Sequence, residues 1–391
     1  MASIQVAAYY FPNYHIDPRN ERAHGPRWTE WELLRAARPR FPQHSQPKVP
    51  LWGYEDESDP TIFSKKIQAG VAAGIGTFIF DWYWYEGSPF LQRALEQGFL
   101  QSPANRQQSF ALMWANHDWL NIHPAPRATP YQRLFDGAVN ASDFVTLTDY
   151  VIERYFSHPS YWRVNGGLYF SIYELMRLVQ GLGGVEQAKR ALTGFRDRVA
   201  RANLGDLHVN AVVWGIQNLP NELAIEKPRD LLSALGIDSV TSYAWIHHVA
   251  LEQFPAVLYA NYRRQATAQW EDIRDRYGLP YFPNVSMGWD PSPRTIATDV
   301  YEPTGYPYTA VLNQNTPEEF GLALRDAKRY LESQSDREQI LTLNAWNEWT
   351  EGSYLEPDTI HRFGYLDQVK RVFGEIPHDS AVGGGHSNDR T

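Results

Sequence analysis

Two carboxyl groups three residues apart, Glu348 and Glu351, stand in the segment Asn344-Ala345-Trp346-Asn347-Glu348-Trp349-Thr350-Glu351-Gly352. Two carboxylates held close cannot both ionise easily, so one keeps a proton near neutral pH while the other serves as a base. Cleavage of a glycosidic bond needs that pairing: an acid for the leaving oxygen and a second carboxylate at or beside the anomeric carbon. Spacing alone favours a solvated turn carrying two ordinary glutamates. The indoles of Trp346 and Trp349 reverse that reading, because they would strip water from the pair. Other chemistries lack their residues. The chain has no cysteine, hence no thiol nucleophile and no thiolate metal site. It has no Gly-x-Ser-x-Gly elbow and no phosphate-cradling Gly-x4-Gly-Lys-Ser/Thr loop. His247 and His248 are adjacent and would point apart, so neither a metal nor a cofactor is expected.

The pair follows an apolar run of strand length, Leu341–Trp346, and seven similar runs precede it: Gln5–Phe11, Thr77–Trp82, Phe110–Trp114, Gly167–Ile172, His208–Trp214, Ser239–Tyr243 and Tyr281–Val285. Between them the apolar spacing turns helical, as in Phe63, Ile67, Val71 and in Phe144, Leu147, Val151, with stops at Gly74 and Gly278. Eight repeats of strand and helix predict an α/β fold, a single (β/α)8 TIM barrel over residues 1–376. A doubly wound open sheet is the alternative, but the turn after the first run, Phe11-Pro12-Asn13-Tyr14-His15, has no phosphate-binding glycines. Connections into strands are short (Gly74-Ile75-Gly76, Leu204-Gly205-Asp206), whereas those after strands 1, 3 and 7 are long (Pro12–Pro60, Ala115–Ala141, Ser286–Thr316). Loops of that length are usually functional, and all three would wall the C-terminal face of the barrel.

The strand exits are rich in rings and hydrogen-bonding groups. Tyr10 and His15 follow the first run, and Asp81, Trp82 and Trp84 the second. Trp114, Asn116, Asp118 and Trp119 follow the third, Tyr243 the sixth, Trp289 and Asp290 the seventh, and Trp346 and Asn347 the last. A sugar offers a C–H face to a ring and hydroxyls to Asn, Asp, Glu or His, so these residues are expected to bind a carbohydrate substrate. His117 and His123 read as structural histidines.

Composition bounds the rest. The 36 Lys and Arg against 45 Asp and Glu leave a net charge of −9 without a basic block, which argues against nucleic acid as a partner. There is no apolar run long enough for a membrane span. The N-terminus shows no secretory signal, so a cytoplasmic location is expected, or an extracytoplasmic one had a leader been removed. Residues 377–391, with Gly383-Gly384-Gly385, read as a disordered tail. The sequence does not reveal an oligomeric state.

Five segments resemble the WbsX-like proteins, relatives of the family-99 glycoside hydrolases (endo-α-mannosidases and endo-α-mannanases). They are Tyr9 to His15; Trp28-Thr29-Glu30-Trp31 with Arg40-Phe41-Pro42-Gln43-His44; Trp114-Ala115-Asn116; Met287-Gly288-Trp289-Asp290; and Asn344 to Glu351 with Tyr354-Leu355-Glu356-Pro357. Trp31 joins the candidate sugar contacts. The resemblance implies a retaining, metal-independent hydrolase acting on α-linked manno-configured residues, α-mannoside or α-D-rhamnoside, in a polysaccharide or oligosaccharide. It also implies that the substrate's own 2-hydroxyl attacks to give a 1,2-anhydro sugar, with Glu348 as its base and Glu351 as acid to the leaving oxygen. A glycosyltransferase of polysaccharide synthesis and a non-catalytic carbohydrate-binding protein are the alternatives.

Overall fold

The structure, a computed structural model, describes residues 3–127, 131–218, 222, 223, 225, 227–334 and 338–374. The expected tail 377–391 lies outside them. Eight parallel staves form one ring: β1 (Gln5–Tyr10), β2 (Thr77–Tyr85), β3 (Ser109–Trp114), β4 (Gly167–Ile172), β5 (Leu207–Val212), β6 (Ser239–Thr241), β7 in two pieces (Tyr281–Phe282 and Asn284–Ser286) and β8 (Ile340–Asn344). Each strand pairs with the next, and β1 pairs with β8 through Ala8 opposite Leu343. That pairing closes the barrel and removes the open-sheet alternative. Pro283, which has no N–H to donate, splits β7: Tyr281 pairs with Val240 on one side and Val285 with Leu343 on the other.

Helices fill the return paths. Among them are α1 (Pro60–Ala73), between β1 and β2, and α2 (Ala141–Val151), between β3 and β4. Asp59 and Asn140 cap their N-termini by accepting backbone N–H bonds, and Gly74 ends α1 in the left-handed conformation. The long connections fall where the sequence places them, after β1, β3 and β7, although the first contains two short helices, Pro18–His24 and Trp31–Ala36.

Strand alternation decides which side chains reach the cleft, since successive residues point to opposite faces. On β1, Tyr9 points inward and its ring meets Tyr243 at 4.7 Å, whereas Tyr10 points outward onto Phe63 of α1, Phe78 and Phe80. On β2, which runs three residues beyond the expected Trp82, Asp81 and Tyr83 face in. Trp82 and Trp84 face out and meet Tyr150 of α2. The barrel interior is polar for its depth: Ser171 donates to Asn210 at 2.8 Å, and Asn210 in turn donates to Ser239 at 2.8 Å.

Candidate active site

A cleft with about 750 Å³ of empty space, part of it open to solvent, lies at the C-terminal end of the barrel. The acid pair reaches it through a tight hairpin. After β8, Asn347 and Glu348 pair antiparallel with Tyr354 and Ser353, and Trp349–Glu351 form one 3-10 turn between them. A 3-10 helix has about three residues per turn, so Glu348 and Glu351 lie on the same face. The turn ends at Gly352, whose φ of +64° suits glycine and whose missing side chain matters: a Cβ there would come within 2.6 Å of Asp290.

The hairpin is anchored from behind. The indole N–H groups of Trp346 and Trp349 both donate to Glu356, at 2.9 and 2.7 Å. Lys66 of α1, fully buried, contacts Glu356 at 2.6 Å and Glu57 at 2.5 Å. Asn347 clasps the backbone of Phe11 in both directions, at 2.8 and 2.7 Å, and donates to Glu57 at 2.9 Å. A second clasp comes from the β7 exit, where the N–H of Asp290 donates to the carbonyl of Glu351 at 2.5 Å. His44 and Gln46 hold the Asp290 carboxylate by donating to it at 2.8 and 2.7 Å.

One guanidinium organises the acids. Arg294, from the short turn Ser292–Arg294 after β7, donates through Nε to Glu30 at 2.9 Å, to Glu351 and Tyr306, and to Glu348 at 3.3 Å. Tyr306 donates to Glu351 at 2.7 Å. On the other side of Glu348, Tyr243 donates to Asp81 at 2.8 Å and lies 3.4 Å from Glu348. Three carboxyl groups thus share a single cation, and a fourth, Asp81, is held by Tyr243 beyond Glu348. Burial would raise Glu30, but Arg294, His123 and the hydroxyl of Thr350 outweigh it and hold Glu30 below its ordinary pKa. Burial lifts Glu351, with Arg294 and Tyr306 opposing. Glu348 is pushed well above the usual carboxylate range by burial and by Glu351, and the more distant Arg294 recovers little. Burial also raises Asp81 strongly, against the hydrogen bond from Tyr243. Arg294 and Tyr306 thus favour negative charge on Glu351, and burial favours the proton on Glu348. Burial keeps His117 and His123 neutral, at about 4 and about 3.

Of the residues singled out from sequence, the structure brings Glu348, Glu351, Asp81, Asp118, Trp119, Tyr243 and Trp289 together around this cleft. Asp118 reaches it with its carboxylate already taken by Arg177 and the N–H of Gly137, both at 3.0 Å. The others lie elsewhere. Tyr10, Trp82 and Trp84 face the helices for the reason of alternation given above, as does Trp114, which packs on Phe144 of α2. Trp346 and Asn347 anchor the hairpin, and Asp290 its rear. Asn116 ties the backbone of Glu174 at 2.9 and 2.7 Å. Trp31 packs on Tyr14 with ring centroids 4.0 Å apart and lines a separate open groove with Trp28 and Tyr54. His15 is buried and held low, at about 4, and does not line the cleft.

Sequence reasoning missed Arg294, Glu30, Tyr306, Tyr83 and His123. Tyr83 follows from alternation once Asp81 is taken to face inward. Glu30 stands inside a quoted motif, Trp28-Thr29-Glu30-Trp31. Arg294 has no local signal, and only the need of several buried acids for a cation points to it.

The comparisons agree with this architecture. The chain is 16% identical to the GH99 endo-alpha-mannosidase of Bacteroides thetaiotaomicron, with a TM-score of 0.58 over 95% of this chain and 97% of that one. A solved glycoside hydrolase-like protein gives 12% identity and a TM-score of 0.57 over 95% and 94%. At such identities the likeness is one of fold. Among curated proteins, the uncharacterized protein WxcX of Xanthomonas campestris pv. campestris, strain B100, is 25% identical over 379 residues, 95% of this chain and 50% of its own length. The WxcX of strain ATCC 33913 aligns to the same extent. The chain thus spans about half the length of the curated relatives it matches. Residues 6–369 match one family throughout, and the chain belongs to that family, described as Glycosyltransferase WbsX.

Proposed function

We propose that this protein is a glycoside hydrolase that cleaves α-linked manno-configured residues, mannose or 6-deoxymannose, in a polysaccharide or oligosaccharide. The observation that carries the reading is the shared contact of Glu348 and Glu351 with the Arg294 guanidinium at the floor of a ring-lined cleft. Two carboxyls on one face of a 3-10 turn are poorly placed to act from opposite sides of a sugar. They are well placed to act on neighbouring oxygens of one sugar. An α-manno residue holds its axial 2-hydroxyl anti to the axial leaving group, the arrangement that back-side attack requires.

The route needs the pair's proton on Glu351 at the outset, the reverse of the distribution that burial and Arg294 favour without substrate. As substrate binds, the proton passes from Glu348 to Glu351; ionised Glu348 then takes the 2-hydroxyl proton, O2 forms a bond to C1, the C1–leaving-group bond breaks, and Glu351 gives its proton to the leaving oxygen. The pair then holds its one proton on Glu348, with Glu351 ionised against Arg294 and Tyr306. This is the distribution that burial and Arg294 favour. In the second step Glu351 takes a proton from water as its oxygen attacks C1, the C1–O2 bond opens, and Glu348 returns the proton to O2. Net retention follows from two displacements.

The family's description as a glycosyltransferase favours a second reading, transfer from a nucleotide-sugar donor. A diphosphate calls for cations, yet Arg294 is the one Lys or Arg among the described residues lining the cleft, and three carboxylates share it. The deciding experiment incubates the protein with α-mannans and α-rhamnans, and separately with sugar acceptors and nucleotide sugars. Released oligosaccharides from the polymer, absent in Glu348→Gln, support hydrolysis. Release of nucleoside diphosphate with polymer left intact would establish transfer instead. Binding without turnover, unchanged in Glu348→Gln, would identify a carbohydrate-binding protein.

A further inference from the structure

Asp81 is a buried carboxyl of the cleft that no cation serves. It is 2% exposed on β2, and Arg294, the one Lys or Arg among the described residues lining the cleft, is already shared by Glu30, Glu348 and Glu351. Among the described residues its Oδ1 has no partner, and its Oδ2 has the Tyr243 hydroxyl at 2.8 Å. Tyr243 comes from the exit of β6, which stands opposite β2 in an eight-stave ring, so this bond crosses the barrel. The same hydroxyl lies 3.4 Å from Glu348 Oε1. The other titratable groups around the two residues bring no positive charge. Tyr9 from β1 and Tyr173 from the exit of β4 pack on the Tyr243 ring at 4.7 and 5.7 Å, His247 lies 6.4 Å from it, and Tyr83 faces in two residues after Asp81. Burial keeps the three phenols protonated and holds His247 neutral, at about 3, while Glu351 adds only repulsion.

A carboxylate buried without a cation is costly, and the cost is avoided by keeping the proton. On Oδ1 that proton would face no acceptor, whereas on Oδ2 it meets the phenol oxygen. A phenol has one hydrogen of its own, free to rotate, and an oxygen that can accept another. While Asp81 is ionised the Tyr243 hydrogen is spent on it; once Asp81 is neutral and donates to the phenol oxygen, that hydrogen can turn to Glu348. Resting on the glycosidase reading above, we infer that Asp81 is a positioning residue for the base: as a neutral acid it donates to Tyr243 and aims the Tyr243 hydrogen at Glu348, which lets Glu348 ionise beside the sugar's 2-hydroxyl. A hydrogen bond to the charged form favours that form, and an ionised Asp81 would both withdraw the bond and repel the charge. Asp81 keeps its proton throughout and none of its atoms enters the reaction; the 2-hydroxyl proton still goes to Glu348.

The test follows release of reducing ends from the α-mannan or α-rhamnan that the parent cleaves, as kcat/KM against pH, together with an infrared titration of protonated carboxyl groups. Tyr243→Phe removes the donor to Glu348, so the limb that reports ionisation of Glu348 should move up by about one pH unit. Asp81→Asn exchanges one neutral donor for another and should leave that limb in place. Asp81→Val leaves the phenol without its partner; it should move the limb part of the way up and lower kcat/KM about tenfold further than Asp81→Asn does. A limb that moves down in Asp81→Asn would mean that a negative charge had been removed, and would overturn the inference. So would a limb that stays in place in Tyr243→Phe, since loss of rate alone is what a structural role predicts. If the parent cleaves neither polymer, the hydrolase reading fails and the infrared spectra still decide this one. A protonated-carboxyl band present at neutral pH and absent from Asp81→Asn supports the inference, provided the band that Glu348→Gln removes titrates about one unit higher in Tyr243→Phe than in the parent. Absence of the first band at neutral pH, or an unmoved second one, refutes it.

Discussion

At the scale of single residues, the site is a problem of proton placement solved with one cation. Arg294 contacts both acids but sits closer to Glu351, so the two glutamates are unequal before any substrate binds. If Glu351 is the acid for the leaving oxygen, Glu351→Gln should slow aryl glycosides with poor leaving groups by about 10²–10⁴-fold, yet spare activated dinitrophenyl glycosides, which need no proton. Glu348→Gln should slow both classes, and a leaving-group series measured on the two variants separates the roles. Arg294→Met removes the charge that opposes the burial of Glu351, so its carboxyl rises further. The limb of the pH–rate profile that reports ionisation of the pair should then move to higher pH, while Arg294→Lys moves it less. A profile unchanged in position would mean that the guanidinium does not govern the acids. The two glutamates were legible because carboxyls among indoles are unusual. Arg294 was not, because its partners lie 54, 57 and 264 positions away in sequence.

At the scale of elements, the same indoles that drew attention to the pair turn out to serve the hairpin. Trp346 and Trp349 both donate to Glu356, which with Lys66 and Glu57 forms the anchor under the turn. Composition of the strand ends was readable, but the face each ring takes was not. Taking Tyr10, Trp82, Trp84 and Trp114 as sugar contacts placed them one residue out of phase, since period two sends their neighbours Tyr9, Asp81, Tyr83, Met113 and Ala115 inward. Phase is set by which face of the first strand meets α1, a tertiary choice with no local signal when both faces are apolar. The hairpin supplies its own test. Gly352→Ala would strain a left-handed backbone and drive a methyl into Asp290, displacing Glu351 through the Asp290 N–H contact. The expected result is a fall in kcat of tenfold or more with KM changed little and stability reduced by about 1–2 kcal/mol. Loss of stability with kcat intact would mean that the turn does not position the acid.

At the scale of the whole molecule, alternation of strand and helix was enough to read the barrel and its long loops, because closure of parallel staves is the simplest solution to that pattern. The ionisation of the buried interior was not readable, and it has a consequence for stability. Burial holds five histidines neutral: His15 and His117 at about 4, and His123, His247 and His248 at about 3. The unfolded chain protonates them below about 6.5, so each makes the fold less stable as pH falls from that point, by about 1.4 kcal/mol per unit. Five carboxyls act with the opposite sign. Glu57 and Glu174 are raised to about 7, and Asp81, Glu348 and Glu351 are raised as well, all chiefly by burial. The folded chain keeps their protons where the unfolded chain releases them, so each makes the fold less stable as pH rises above about 4.5. Between pH 5 and 6.5 the two sets oppose each other, and urea unfolding free energies should vary far less across that window than either set alone would require. Single replacements away from the acid pair should expose the balance. His15→Leu should gain stability relative to the parent as pH falls through the window, and Glu57→Gln should gain as pH rises, each by about 1.4 kcal/mol per unit. Parallel pH profiles for the parent and both variants would show that these groups ionise alike in the folded and unfolded chains.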